Sequence, residues 1–135
     1  MGILSEDKIK EYLNKEELSE RIIITPLLNP SDFFDPISID VRLGNEFIIM
    51  RKQSFPILDI SDKDSLSRRT IQYQERIRID YGDEFVLHPR QLIIGSTLEY
   101  ISLPDQIMCY VIGKSSWGRM GLIIATATKV DPGFK

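Results

Sequence analysis

The apolar residues of this chain come in short runs, and nearly every run is cut off by a turn signal, which restricts the fold to many short packed strands. Arg21–Thr25 is a β-branched run stopped by Pro26, and the stretch to Pro36 is broken again by Pro30. Ile37–Met50 holds two apolar stretches either side of Leu43-Gly44-Asn45, which predicts strand, turn, strand. From Ile71 the pattern alternates: Ile71, Tyr73, Ile77 and Ile79 share one parity. Tyr81-Gly82-Asp83 turns the chain into a predicted strand over Glu84–Leu87, which ends at His88-Pro89. Leu92–Leu98 and Gln106–Ile112 are further expected strands, separated by the Leu103-Pro104-Asp105 turn. Gly113–Gly121 interrupts the series, Ile123–Ala127 resumes it, and Asp131-Pro132-Gly133 turns again. A β-sandwich, jelly roll or barrel follows from this spacing.

The one helical signal is at the start. Ser5 is placed to cap, Glu6 and Asp7 sit where the helix dipole favours negative charge, and Ile9, Tyr12 and Leu13 line one face. Lys15–Glu20 is a polar connector, and the charged, serine-rich Asp59–Arg69 reads as an exposed connection.

A length of 135 residues suits a single domain over 1–135. The net charge of -3 gives no general attraction to nucleic acid or anionic membrane, so any phosphate binding must come from a local site. No apolar run reaches membrane-spanning length, and Met1–Lys10 lacks the plan of a signal peptide. The expectation is a cytoplasmic protein with no nucleic-acid and no membrane partner. With one cysteine, Cys109, and one histidine, His88, the chain can form neither a disulfide framework nor the ligand set of a zinc-dependent deaminase.

Gly113-Lys114-Ser115-Ser116-Trp117-Gly118-Arg119-Met120-Gly121 is the densest polar segment. Two adjacent hydroxyls between a lysine and an arginine supply neutral and charge-assisted donors, and the glycines allow close approach to the backbone. These donors suit phosphate oxygens. By composition alone such a segment is more often a solvated loop, and phosphate binding is the lesser reading.

This loop, followed by Thr126-Ala127-Thr128-Lys129-Val130-Asp131-Pro132-Gly133-Phe134, resembles the dCTP deaminase pattern of a Gly-Arg-Ser-Ser loop and then Thr-Ala…Ile-Asp-Pro-Gly-aromatic. Upstream segments correspond in the same order: Ile3-Leu4-Ser5, Ser38-Ile39-Asp40-Val41-Arg42-Leu43-Gly44, Leu58-Asp59-Ile60-Ser61, Val86-Leu87-His88-Pro89, and Thr97-Leu98-Glu99 before Leu103-Pro104. The resemblance to the dCTP deaminase and trimeric dUTPase superfamily implies an all-β distorted jelly roll, a dUTPase-like β-clip with a short N-terminal helix. It further implies a homotrimer with nucleotide sites at subunit interfaces. The implied activity is deamination of dCTP to dUTP without zinc, the triphosphate arriving with Mg²⁺; dUTP diphosphatase, combined activity or non-catalytic binding of dCTP, dUTP or dTTP are its alternatives. By the same resemblance Lys114, Ser115, Ser116 and Arg119 hold the triphosphate, with Ser115 and Arg119 catalytic. Thr126, Ala127 and Asp131 line the base and deoxyribose pocket, and Phe134 packs on the sugar; no residue is assigned to a metal.

The chain departs from the pattern at Lys114, where the family has arginine, and the stretch from Gly121 to Thr126 is one residue shorter. The family's catalytic glutamate lies on the strand after the Asp-Pro-Gly turn, and only Phe134 and Lys135 follow that turn here, so the chain is expected to be incomplete at its C-terminus. Glu99 and Asp40 are read as structural, His88 as a turn residue, Cys109 as a small buried hydrophobe, and Trp117 as a packing or interface residue. Asp62, Asp64, Arg68 and Arg69 are read as a solvated loop. The competing classes are a regulatory nucleotide binder and a jelly-roll module for an unrelated ligand.

Overall fold

Leu43–Met50 is the longest strand, and its sequence shows why: Phe47-Ile48-Ile49 fills both faces of a pleated ribbon with side chains that favour extended backbone. In the computed structural model, which describes residues 2–27, 34–51, 61, 70–80, 82–125 and 127–135, this strand is β4. It follows helix α1 (Glu6–Leu13) and strands β1 (Ile23–Thr25), β2 (Phe34–Asp35) and β3 (Ser38–Ile39). After it come β5 (Gln74–Arg78), β6 (Ile93–Thr97), β7 (Tyr100–Ser102), β8 (Cys109–Tyr110), a short helix α2 (Ser115–Arg119) and β9 (Lys129–Val130). The regular elements are thus mostly strands with few short helices, consistent with a dUTPase-like β fold, and the described residues gather into two compact units.

The unit Arg42–Leu98 is built on an antiparallel sheet in the order β5-β4-β6. Phe47, 4% exposed, stacks on Phe85 with ring centroids 4.5 Å apart. Gly95 stands opposite Phe47, and a Cβ there would lie 3.1 Å from Leu43 Cδ1, so the missing side chain makes room for its neighbours. Leu43-Gly44-Asn45, expected as a turn, lies inside β4. The register slips between Leu43 and Phe47, where the irregularity absorbs extra chain without breaking the strand. Glu84–Leu87 forms no ladder among the described residues, and Val86 is exposed. Residues 70–72 are helical rather than extended, so Ile71 falls outside the alternation. The turn through Gly82 forms as expected, with φ of 96° and Asp83 N–H donating to the Asp80 carbonyl, while Tyr81 lies outside the described residues, as do Leu58, Asp59, Ile60, Asp62, Asp64, Arg68 and Arg69. His88 sits in a turn closed by Gln91, whose N–H reaches the His88 carbonyl while its side-chain oxygen accepts from His88 N–H.

The other unit comprises Met1–Val41 and Glu99–Lys135. Ile22, Leu103 and Ile107 form its buried centre, with Leu13, Ile101, Cys109 and Val130 packed around them. Burial pushes the Cys109 thiol up, which keeps it protonated and poorly nucleophilic. In α1, Ile9 is buried and Glu6–Lys10 and Lys8–Glu11 pair along the exposed face. Ser5 occupies the N-cap position in extended conformation, yet its side chain makes no capping bond; Glu6 N–H donates instead to the Pro36 carbonyl at 2.9 Å. β1 pairs with β7, β2 with β3, and β8 with β9. Glu99, 3% exposed, is a buried residue of this unit and has an interaction partner.

Two expectations need correction here. Gln106–Ile112 contributes only Cys109–Tyr110 to a strand, because the turn that follows Pro104 consumes its first residues and the strand pairing stops after Tyr110, with one further backbone bond at Val111. Among the described residues of 123–127 none is in a strand: Ile123 is 79% exposed, and the strand before the last turn is β9 instead.

Candidate functional site

The ladder of β8 and β9 pairs Cys109 with Val130 and Tyr110 with Lys129, and Val111 N–H extends it by donating to the Thr128 carbonyl at 2.7 Å. The base of the polar loop is thereby laid beside Ala127–Asp131, which brings the two halves of the expected site to one ladder.

Within the loop the chain does something the sequence reading missed. Lys114 is extended at the N-cap, and Ser115–Arg119 winds into α2. The helix ends on Gly121, whose φ of 89° permits a paired closing motif. Gly121 N–H donates to the Gly118 carbonyl and Leu122 N–H to that of Trp117. Ser115 and Arg119 stand four residues apart on this helix and so share a face. Residues 110–125 are all exposed, and the side chains of Ser115, Ser116 and Arg119 make no hydrogen bond or ion pair with any described residue. Their donors are presented to solvent, open to an anionic ligand.

Lys114 differs: its ammonium pairs with Asp40, at the end of β3. The hydrogen bond to Asp40 holds its pKa above the ordinary lysine value, and the charges of Asp40 and Asp35 add to this, so the cation is fully charged at neutral pH. No spacing signal pointed to Asp40 as a partner of this loop, because the two residues are far apart in sequence.

On the other side of the ladder, Ala127 has a φ of 51°, a left-handed conformation that costs alanine roughly 1–2 kcal/mol and marks a sharp bend. Asp131 pairs with Lys129 at 2.5 Å, and this bond raises the lysine pKa. Phe134 is half exposed; its carbonyl accepts from Leu103 N–H at 2.8 Å and its N–H donates to the Asp131 carbonyl. Thr126 lies outside the described residues. Among the described residues no bond joins Ser115, Ser116 or Arg119 to Ala127, Asp131 or Phe134.

Gly133 fixes this turn. Its φ is 74°, and a Cβ there would stand 2.7 Å from Asp105 Oδ1. The Asp105 carboxylate can rotate away, so the backbone conformation is the larger obstacle. Gly133→Ala should cost about 1–3 kcal/mol, read as a lower urea midpoint; adding Asp105→Ala should recover only a minor part. An unchanged midpoint would show that the turn tolerates a side chain.

A cavity of this unit, about 670 Å³, lies among α1, Leu18, β1 and Phe34 and shares no residue with the loop. Its two cations are already engaged, Lys10 with Glu6 and Arg21 Nε with the Leu13 carbonyl. The loop's free donors make it the better site for an anion.

Known proteins match along the whole chain. A protein from Methanobrevibacter smithii described as "dCTP deaminase, dUMP-forming" is 36% identical over 136 residues, covering 100% of this chain and 66% of its own length. One of the same description from Dictyoglomus turgidum is 38% identical, covering 98% of this chain and 64% of its own length. A "dCTP deaminase" from Haloarcula marismortui is 34% identical, with 98% and 65% covered. The chain thus spans slightly under two thirds of the length of these relatives. A family profile described as dCTP deaminase-like matches residues 3–135, and the chain belongs to that family.

Proposed function

We propose that this chain supplies the triphosphate-binding part of a zinc-independent dCTP deaminase. The observation that carries the reading is α2, which puts the hydroxyl of Ser115 and the guanidinium of Arg119, neither bonded to a described residue, on one exposed face, with Lys114 just ahead of them. Arg119 and Lys114 neutralise phosphate charge, and Ser116 adds a neutral donor. Ser115 positions water and base; Ala127, Asp131 and Phe134, with Thr126, form the wall for base and deoxyribose.

Water attacks C4 of cytosine while a carboxylate takes its proton and passes it to N3; the second water proton then goes through the carboxylate to the amino group, and ammonia leaves as the C4 carbonyl forms. That carboxylate is expected from the strand which follows the Asp-Pro-Gly turn in the family. Mg²⁺ is taken to arrive on the triphosphate: it prefers oxygen donors with much of its water retained, and the carboxylates of Asp40 and Asp131 are each occupied by a lysine. The run Val111, Ile112, Trp117, Met120, Leu122, Ile123 and Ile124 is exposed beside the loop, an apolar surface that supports burial between protomers of a homotrimer.

The relatives named as dUMP-forming favour a second reading, in which the same site also releases pyrophosphate. The complete protein incubated with dCTP and Mg²⁺ should release ammonia, and chromatography separates the cases: dUTP for deamination alone, dUMP with pyrophosphate for both steps. Activity should survive a zinc chelator. No ammonia from dCTP at any magnesium concentration would remove the deaminase reading.

A further inference from the structure

Asp40 belongs neither to the loop nor to the turn behind it, yet its Oδ2 accepts a hydrogen bond from Lys114 Nζ in a close ion pair. The hairpin that carries it is fixed from two directions. β2 and β3 pair through Phe34–Ile39 and Asp35–Ser38, and the connecting Pro36 carbonyl accepts from Glu6 N–H at the start of α1. The Asp40 side chain is 29% exposed and that of Lys114 55%, so the better-held partner is the carboxylate.

From this arrangement we infer that Asp40 is a positioning residue, whose carboxylate holds the Lys114 ammonium at the phosphate loop in place of a rigid cation. The inference rests on Lys114 being a phosphate ligand. A lysine is a point charge on a flexible stem, and fixing that stem is costly when a ligand has to do it. Asp40 does so beforehand, and the ammonium keeps further N–H donors for phosphate oxygens. The opposite effect, Asp40 competing with phosphate for the cation, is weak where the pair is solvated and screened.

Calorimetric titration of the complete protein with dCTP, and with deoxycytidine as a phosphate-free control, tests this. Asp40→Asn should weaken dCTP binding roughly 3- to 10-fold and leave deoxycytidine unchanged. In turnover assays KM should rise with kcat held. In a Lys114→Met background Asp40→Asn should bring no further loss, and Asp40→Glu should restore most of the affinity. Asp40→Ser is the second uncharged variant if asparagine upsets the hairpin in a thermal melt. Equal or tighter dCTP binding by the uncharged variants, while Lys114→Met weakens it, overturns the positioning role alone. If Lys114→Met itself binds dCTP normally, the phosphate role of Lys114 falls, and this inference with it.

Discussion

Ser115→Ala should reduce dCTP turnover by the complete protein about 10²- to 10⁴-fold, the range expected when a group that orients proton transfer is lost. Ser115 is the first residue of α2 and is exposed, and its side chain bonds to no described residue, so its hydroxyl contributes little to the fold. Alanine is also at least as good a helix former as serine. The melting temperature should therefore stay put while kcat falls. KM should move only a few fold, because in the proposed site Lys114, Ser116 and Arg119 would still hold the phosphates. Ser116→Ala makes the contrast: as a phosphate donor it should act mainly on KM. Wild-type kcat in Ser115→Ala would remove this hydroxyl from the chemistry and leave α2 a binding element only.

Sequence reading found the elements whose side chains alone decide the matter. Phe47–Met50 in β4 and Ile93-Ile94 in β6 are apolar runs, though the turn expected at Leu43-Gly44-Asn45 proved part of β4, and α1 carries Ile9, Tyr12 and Leu13 at helical spacing. It failed where pairing, and not apolarity, decides. Ile123–Ala127 and Glu84–Leu87 look like strands, but among the described residues neither finds a ladder partner, and Ile123 and Val86 stand in solvent. α2 was missed because its five residues carry no apolar period, and what ends it is the left-handed Gly121. For the site, residue types marked the loop as a cluster of donors without separating a phosphate site from a solvated turn. Family resemblance made that choice. The Lys114–Asp40 pair was illegible, since only the folded β2–β3 hairpin brings the carboxylate to the loop.

Leu103→Ala should destabilise the chain by about 2–4 kcal/mol. Leu103 is 5% exposed and packs with Ile22 and Ile107 at the centre of its unit. Few residues there are so deeply buried, so the cavity left behind has little apolar material to collapse into it. The same residue ties the core to the candidate site, because its N–H donates to the Phe134 carbonyl beside the Gly133 turn. The loss should appear as a fall in melting temperature of roughly 10 °C for a chain of this size. dCTP at saturating concentration should recover part of it, since a ligand that binds only the folded state stabilises by mass action. Ile123→Ala supplies the control: at 79% exposure its side chain contributes almost nothing within one chain. A comparable fall in Ile123→Ala, growing as protein is diluted, would mean that a neighbouring protomer covers this side chain. A fall in Leu103→Ala below about 0.5 kcal/mol, the scale of ordinary surface substitutions, would mean that the Ile22–Leu103–Ile107 cluster does not hold this unit together.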